Sequence, residues 1–202
     1  MKDFKSVPVP KMMEEYCEKD SKGNPVPYVV LKDKEGKFHF KINDSMKSAN
    51  CFTNDLCSIC GQIMDGDNQW LLGGIASAFD PGGVYIDLPI HKECGTYALQ
   101  VCPYLAIRNY TAKIDISRLQ NLFKGELELH NPTVDPDRLP VFVFIRPMKI
   151  GYNSNFTVKA LNGYHEVQYW RDGKQLFDKE EVKSYIVGTK WEKYLKVMFH
   201  ET

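Results

Sequence analysis

Two pairs of metal-ligating residues constrain this 202-residue chain more than any other feature. The first pair is Cys57 and Cys60, followed by Gly61, and the second pair is His91 and Cys94. Two cysteines separated by two residues can chelate one ion, and the glycine lets the backbone turn tightly beneath it. Residues three apart on a helix share one face, so His91 and Cys94 can reach the same ion. The sequence therefore predicts one structural zinc ion, held by three thiolates and one imidazole.

The order of the elements around these ligands predicts a treble-clef arrangement. A zinc knuckle at 57–61 comes first, short strands at 70–74 and 84–88 follow as a hairpin, and a helix over about 91–101 carries the second pair. Four protein ligands fill a tetrahedral shell. We therefore expect a closed site in which no coordination position is left for a water molecule.

The other three cysteines are expected to pack as apolar thiols. Cys102 lies eight residues beyond Cys94, which is about 12 Å along a helix, so it cannot share the ion with His91. Cys17 and Cys51 belong to no second ligand cluster and are interpreted in the same way. Six cysteines without an apolar leader at the N-terminus indicate a reducing compartment, in which metal binding is favoured over disulfides.

Composition limits the classes of partner. The chain has 26 basic and 26 acidic residues, whereas a protein that grips nucleic acid through its phosphates needs a basic excess. We therefore expect no strong non-specific binding to nucleic acid. No stretch approaches the roughly 20 apolar residues that span a bilayer, so we expect no membrane association and a cytoplasmic location.

Local patterns predict an α+β protein. It consists of an N-terminal arm and β-hairpin (1–50), a zinc-binding lobe (51–110) and a C-terminal region with a β-hairpin and helices (111–202), together forming one compact unit. The predicted elements besides the zinc lobe are strands at 28–31, 37–42, 141–145, 156–161 and 164–170, and helices at 44–54, 115–123, 178–187 and 189–199.

The C-terminal hairpin supplies a candidate binding surface. Asn162-Gly163 is a strong signal for a two-residue turn, because both residues tolerate positive φ. Alternation then assigns the following strand to two faces, with Tyr164, Glu166, Gln168 and Trp170 on one and His165, Val167, Tyr169 and Arg171 on the other. Aromatic residues and arginine dominate interface hot spots. We take Tyr164, Tyr169, Trp170 and Arg171 as candidate binding residues, while the alternative is that one face packs on the helix at 178–187.

The chain resembles a family of small, uncharacterised bacterial and phage proteins over roughly residues 23–187. The motifs that carry the resemblance are NPVPYVV at 24–30, GKFHFKI at 36–42, CSICG at 57–61, PIHKEC at 89–94, VCPYL at 101–105, YWRDGK at 169–174 and KEEV at 179–182. The resemblance supports the layout and the ligand set, and it implies no known activity. A phage origin would place the protein in the host cytoplasm.

Function is expected to be binding without chemistry. The motif His91-Lys92-Glu93 has the H-x-E form of zinc deaminases, but its order relative to the CxxC pair is reversed and Cys94 closes the site. The alternative is a metal-dependent nuclease of the HNH type, which also uses a treble clef, although His91 is then already committed to zinc. The sequence predicts a zinc-stabilised protein that binds a protein partner or, as an alternative, a nucleotide, and that interferes with a host factor if it is phage-encoded.

Overall fold

The computed structural model describes residues 6–107, 139–153 and 157–200. The helix predicted at 115–123 lies outside these residues. The described part mixes helices with antiparallel strands, so the α+β class is confirmed. Among the helices of these ranges, none combines the length and the apolar character that crossing a bilayer requires.

The N-terminal half contains two small antiparallel sheets and two helices. Its elements are α1 (Lys11–Tyr16), β1 (Glu18–Lys19), β2 (Pro25–Val26), β3 (Val30–Lys32), β4 (Phe38–Asn43) and α2 (Ser45–Asn54). Strand β1 pairs with β2, and β3 pairs with β4, which confirms the predicted hairpin. Helix α2 begins where expected, because the side chain of Asp44 accepts hydrogen bonds from the amides of Met46 and Lys47.

The central and C-terminal parts share one sheet. Their elements are β5 (Leu71–Gly73), α3 (Ile75–Phe79), α4 (Lys92–Val101), α5 (Pro103–Ala106), β6 (Phe142–Tyr152), β7 (Val158–Arg171), β8 (Lys174–Leu176), α6 (Lys179–Ile186) and α7 (Leu195–Phe199), with 3-10 turns at Gly66–Asn68 and Glu192–Tyr194. The four strands are antiparallel in the order β5-β6-β7-β8.

The predicted hairpin between 70–74 and 84–88 is not formed. Leu71 pairs instead with Ile145 of β6, so β5 is an edge strand of the main sheet. The segment at 84–88 is not a strand, and its Tyr85 makes a single bridge to Val158 at the start of β7. The central segment therefore takes its sheet partners from the C-terminal half of the chain.

The prediction of two strands joined by a turn at Asn162-Gly163 is wrong. Strand β7 runs without interruption through both residues, and their φ values of 64° and 97° belong to an irregular stretch of its ladder with β6. The register shifts twice, from Arg146 opposite Glu166 to Pro147 opposite Tyr164, and from there to Lys149 opposite Leu161. Each shift leaves one extra residue on β7, and Asn162 and Gly163 lie at the second shift. The positive φ that the sequence predicted is present, but it serves a bulge within a strand.

Strand β6 separates two hydrophobic core clusters. Val143 and Ile145 belong to the first cluster, which includes residues of α3, α6 and α7. Phe142 and Phe144 alternate with them and belong to the second cluster, which contains the cysteines of both ligand pairs. Because successive side chains of a strand point to opposite faces, the sheet packs α3, α6 and α7 on one face and the Cys/His region with α4 on the other.

Candidate metal centre

The first ligand pair lies on a tight backbone turn. Leu56 and Ile63 form an antiparallel bridge, and between them the amide of Gly61 donates to the carbonyl of Cys57 at 2.8 Å. Gly61 has a φ of 71°, and a β carbon there would lie 2.8 Å from the ring of Tyr28. A glycine is therefore required at this position both by the backbone conformation and by the close approach of Tyr28.

The second pair lies at the first turn of α4. His91 occupies the N-cap position, and its carbonyl accepts from the amide of Gly95 at 3.0 Å. The preceding residue, Ile90, exchanges two backbone hydrogen bonds of 2.9 Å with Trp70. This bridge fixes the direction from which the chain enters the helix, and it brings His91 and Cys94 towards the knuckle.

The four predicted ligands converge. The ligand atoms of Cys57, Cys60, His91 and Cys94 all lie within 4.8 Å of one another, and the four residues are between 0% and 5% exposed. Thiolates at about 2.3 Å from a common tetrahedral ion lie roughly 3.8 Å apart. The cluster can therefore hold one metal ion.

The orientation of His91 distinguishes its two ring nitrogens. Nδ1 lies 3.3 Å from Sγ of Cys60, and Nε2 lies 3.2 Å from the carbonyl oxygen of Ile63. The tautomer that carries its proton on Nε2 donates to Ile63 and directs the lone pair of Nδ1 into the cluster. A ligating histidine commonly donates its other N–H to a carbonyl in this way, because the bond fixes the ring orientation.

The ligand side chains shift one another's pKa values. Burial acts to raise the pKa of Cys57, but hydrogen bonds from Cys60, Cys94 and His91 outweigh it, so that the pKa falls well below its ordinary value. Hydrogen bonds with Cys57 and Cys60 raise the pKa of His91 to about 10 and also raise the pKa of Cys94. Crowded thiolates thus stabilise positive charge and oppose one another's ionisation. A bound cation would relieve this opposition.

The N-terminal helix adds contacts that the sequence did not indicate. Sδ of Met12 lies 3.4 Å from Sγ of Cys94 and 3.9 Å from Sγ of Cys60. The thiol of Cys17 donates to the carbonyl of Ile59, between the two knuckle cysteines, at 3.3 Å. No local spacing relates residues 12 and 94, so only the tertiary structure shows this contact.

The remaining cysteines lie outside the cluster. Burial raises the pKa of Cys17 to about 11 and that of Cys51 to about 12, so both thiols stay neutral at physiological pH. Cys102 is partly buried at the junction of α4 and α5, where its amide donates to Ala98, and it is not among the residues brought together for a metal.

Trp170 and Arg171 do not form an exposed surface. Trp170 is 5% exposed, belongs to the second core cluster, and donates from Nε1 to the side-chain oxygen of Gln168 at 3.0 Å. The guanidinium of Arg171 donates to the carbonyl of Pro140 and lies 4.0 Å from the ring centroid of Tyr185, with 11% of its side chain exposed. Both side chains therefore make their contacts with other parts of the protein.

Tyr164 and Tyr169 also contact the interior, and they lie on the same face. Phe79 of α3 lies 5.9 Å from the ring of Tyr164 and 6.5 Å from that of Tyr169. Their hydroxyls donate to the carbonyls of Ala78 and Met198. Simple alternation placed the two tyrosines on opposite faces, and the bulge near residue 165 reverses that assignment. Of the four residues predicted to form an exposed surface, Trp170 is buried and the other three are partly buried in contact with the interior.

Comparison with protein-family models, with curated proteins and with solved structures gave no match over this chain.

Proposed function

We propose that Cys57, Cys60, His91 and Cys94 bind one zinc ion in a closed, structural site of treble-clef type. The donor set supports zinc, because three thiolates and one imidazole are a common combination in structural zinc sites. The layout supports a treble clef. A knuckle supplies the first pair, an antiparallel bridge between Trp70 and Ile90 follows, and the first turn of α4 supplies the second pair.

The observation that carries the proposal is that all four donors are buried and face one another. In His91, Nδ1 faces Cys60 and Nε2 donates to Ile63, so neither ring nitrogen is available as a base towards a substrate. A shell filled by four protein ligands leaves no position for an activated water. The centre therefore stabilises the fold and does not perform chemistry.

A closed structural metal site directs the proposal towards a function in binding. We propose that this protein binds another protein, with a nucleotide as the alternative ligand, and the zero net charge of the chain argues against a nucleic acid held through its phosphates. The resemblance to small bacterial and phage proteins makes a host protein the partner to test first. Trp170 is buried, and Tyr164, Tyr169 and Arg171 are partly buried with partners inside the protein, so we look for the binding surface elsewhere.

Elemental analysis and X-ray absorption of the purified protein test the metal proposal. We expect about one zinc per chain, with three sulfur ligands and one nitrogen ligand at ~2.0–2.3 Å. Cys57→Ser should lose the metal, and the matched variant Cys102→Ser should retain it. Iron in place of zinc, or an oxygen ligand from water in the shell, would overturn the closed structural site.

Two assays test for nuclease activity and for DNA binding. We expect no plasmid nicking with Mg²⁺ or Mn²⁺, and no gel shift of DNA at micromolar protein and about 0.15 M salt. Cleavage that is lost in Cys57→Ser and retained in Cys102→Ser would establish the nuclease alternative. Capture from a bacterial lysate should then identify a protein that binds the zinc-loaded chain and not Cys57→Ser.

A further inference from the structure

Residues 10–17, here termed the N-terminal strap, cover one side of the cysteine and histidine cluster. Met12 supplies the central contact, since its thioether sulfur lies 3.4 Å from Sγ of Cys94 and 3.9 Å from Sγ of Cys60. A methionine side chain is apolar and polarisable, so it packs closely on sulfur and excludes water from it. Two of the three thiols are thus shielded by a single side chain from a distant part of the sequence.

The flanking residues of the strap anchor it to the knuckle. Met13 is 2% exposed and Cys17 is 8% exposed, and both belong to the core cluster that contains Cys57 and Cys60. The thiol of Cys17 donates to Ile59, which lies between the two knuckle cysteines. The strap therefore rests on the same turn of backbone that carries the first ligand pair.

The helix of the strap is too short to be stable by itself. Helix α1 has six residues, and Pro10 at its N-cap makes no side-chain hydrogen bond. Isolated helices of this length are unstable in water. The order of the strap must come from its contacts with the knuckle, whose conformation in turn depends on metal binding, because metal-binding free energy is part of the folding free energy in such sites.

The chain beyond the strap continues into a small sheet. Strand β1 follows directly, and its Glu18 pairs with Val26 of β2. A movement of residues 10–17 away from the cluster would pivot at this junction.

We propose that the N-terminal strap is a lid that controls metal exchange at the centre. A chelator or a thiol reagent reaches Cys60 and Cys94 only after the strap lifts, and loss of the metal releases the strap. This inference rests on the proposed zinc site and adds a regulated path by which the ion enters and leaves.

The test measures the rate at which zinc is transferred from the full-length protein to a chromogenic chelator. Met12→Ala removes the cover while leaving all four ligands, and it should release zinc about tenfold faster, the change that corresponds to ~1.4 kcal/mol of lost contact. Met46→Ala is the matched control, because Met46 is 78% exposed on α2 and should leave the rate unchanged. Met12→Leu restores an apolar cover and should return the rate close to that of the wild type.

A second measurement uses the unaltered protein, so the test does not depend on a variant that folds. Trypsin should cleave after Lys11 slowly in the zinc-loaded chain and much faster once the metal has been removed. A Met12→Ala protein that carries one zinc yet releases it at the wild-type rate would refute the lid, as would equal cleavage with and without metal. Wild-type protein without zinc would instead refute the proposed site, so the two failures are distinguishable.

Discussion

The ammonium nitrogen of Lys92 lies 3.0 Å from Oε1 of Glu166, which links the first turn of α4 to strand β7. The same nitrogen lies 4.7 Å from the centroid of the Trp70 ring. Gln168 donates to the Glu166 carboxylate at 2.7 Å. Lys92 follows directly after His91, so this network connects a ligand-bearing turn with the sheet on which it packs.

Lys92→Met should lower the free energy of unfolding by less than about 1 kcal/mol, because 41% of the Lys92 side chain and 37% of the Glu166 side chain are exposed to solvent. Methionine keeps the apolar stem and removes only the charge. The loss should shrink in 1 M salt, since exposed charges are screened. Urea unfolding at low and high salt measures it, with Lys34→Met in the β3–β4 turn as control. A loss that does not depend on salt would show that Lys92 acts through packing.

Gly95→Ala should destabilise the fold by about 1–2 kcal/mol, although alanine is the better helix former. A β carbon at this position would lie 2.5 Å from Phe144 and 2.7 Å from Ile90, and both of those side chains are buried. Gly66→Ala is the matched control, because nothing lies within 4 Å of its β carbon. Thermal unfolding compares the two variants. A stabilised Gly95→Ala would mean that α4 can move away from the sheet.

Trp170→Ala should cost about 3–5 kcal/mol, the usual loss on truncating a buried aromatic side chain. The indole is 5% exposed, and its removal also leaves the side-chain oxygen of Gln168 without its donor. Phe177→Ala, which alters a side chain that is 85% exposed, should change stability by no more than about 0.5 kcal/mol. Urea unfolding midpoints test both. Equal stability of the two variants would contradict the internal position of Trp170.

Tyr194→Phe should raise the pKa of Asp80 towards its ordinary value of 3.8. The Tyr194 hydroxyl, which donates to Asp80 at 2.8 Å, and the Gly82 amide together hold that pKa below 3.8. A carboxyl group whose pKa is lower in the folded than in the unfolded state stabilises the fold at pH values above its unfolded pKa. This contribution is lost as the pH falls through the folded pKa. The wild type should therefore lose this stability below pH 3.8. NMR titration of the Asp80 carboxyl carbon measures the shift, and an unchanged pKa would contradict the assignment.

A second tyrosine provides the control for that titration. The Tyr152 hydroxyl donates to Asp55 at 3.3 Å, on another part of the surface. Tyr152→Phe should leave the titration of Asp80 unchanged, because the two pairs share no partner.

The metal ligands could be predicted from the sequence because their signal is local. Two residues separate the members of each pair, and this spacing lets both members reach one ion. The ends of α2 and α4 were predicted within about two residues for the same reason. Asp44 caps the N-terminus of α2, and Pro103 follows the C-terminus of α4. Asp178 likewise caps the N-terminus of α6, where its side chain accepts a hydrogen bond from the amide of Glu180.

The errors come from interactions between distant residues. Asn162 and Gly163 have the positive φ of a hairpin turn, but pairing with β6 on both sides of them outweighs the local preference and makes one long strand. The partners of Tyr164 and Tyr169 are Ala78 and Met198, which no spacing within β7 could indicate. The contacts of these two tyrosines with the interior were therefore beyond what the pattern could predict.

The long strand β7 has a consequence for how the molecule can be divided. Val158 near one end belongs to the first core cluster and Trp170 near the other end belongs to the second. A fragment of residues 51–110 would retain all four metal ligands and yet lack Phe144, whose ring lies 4.6 Å from that of Trp70. Such an excised piece would present its largest aromatic side chain to water. We therefore expect the segment 51–110 not to fold by itself, since the packing of its tryptophan depends on a strand outside it.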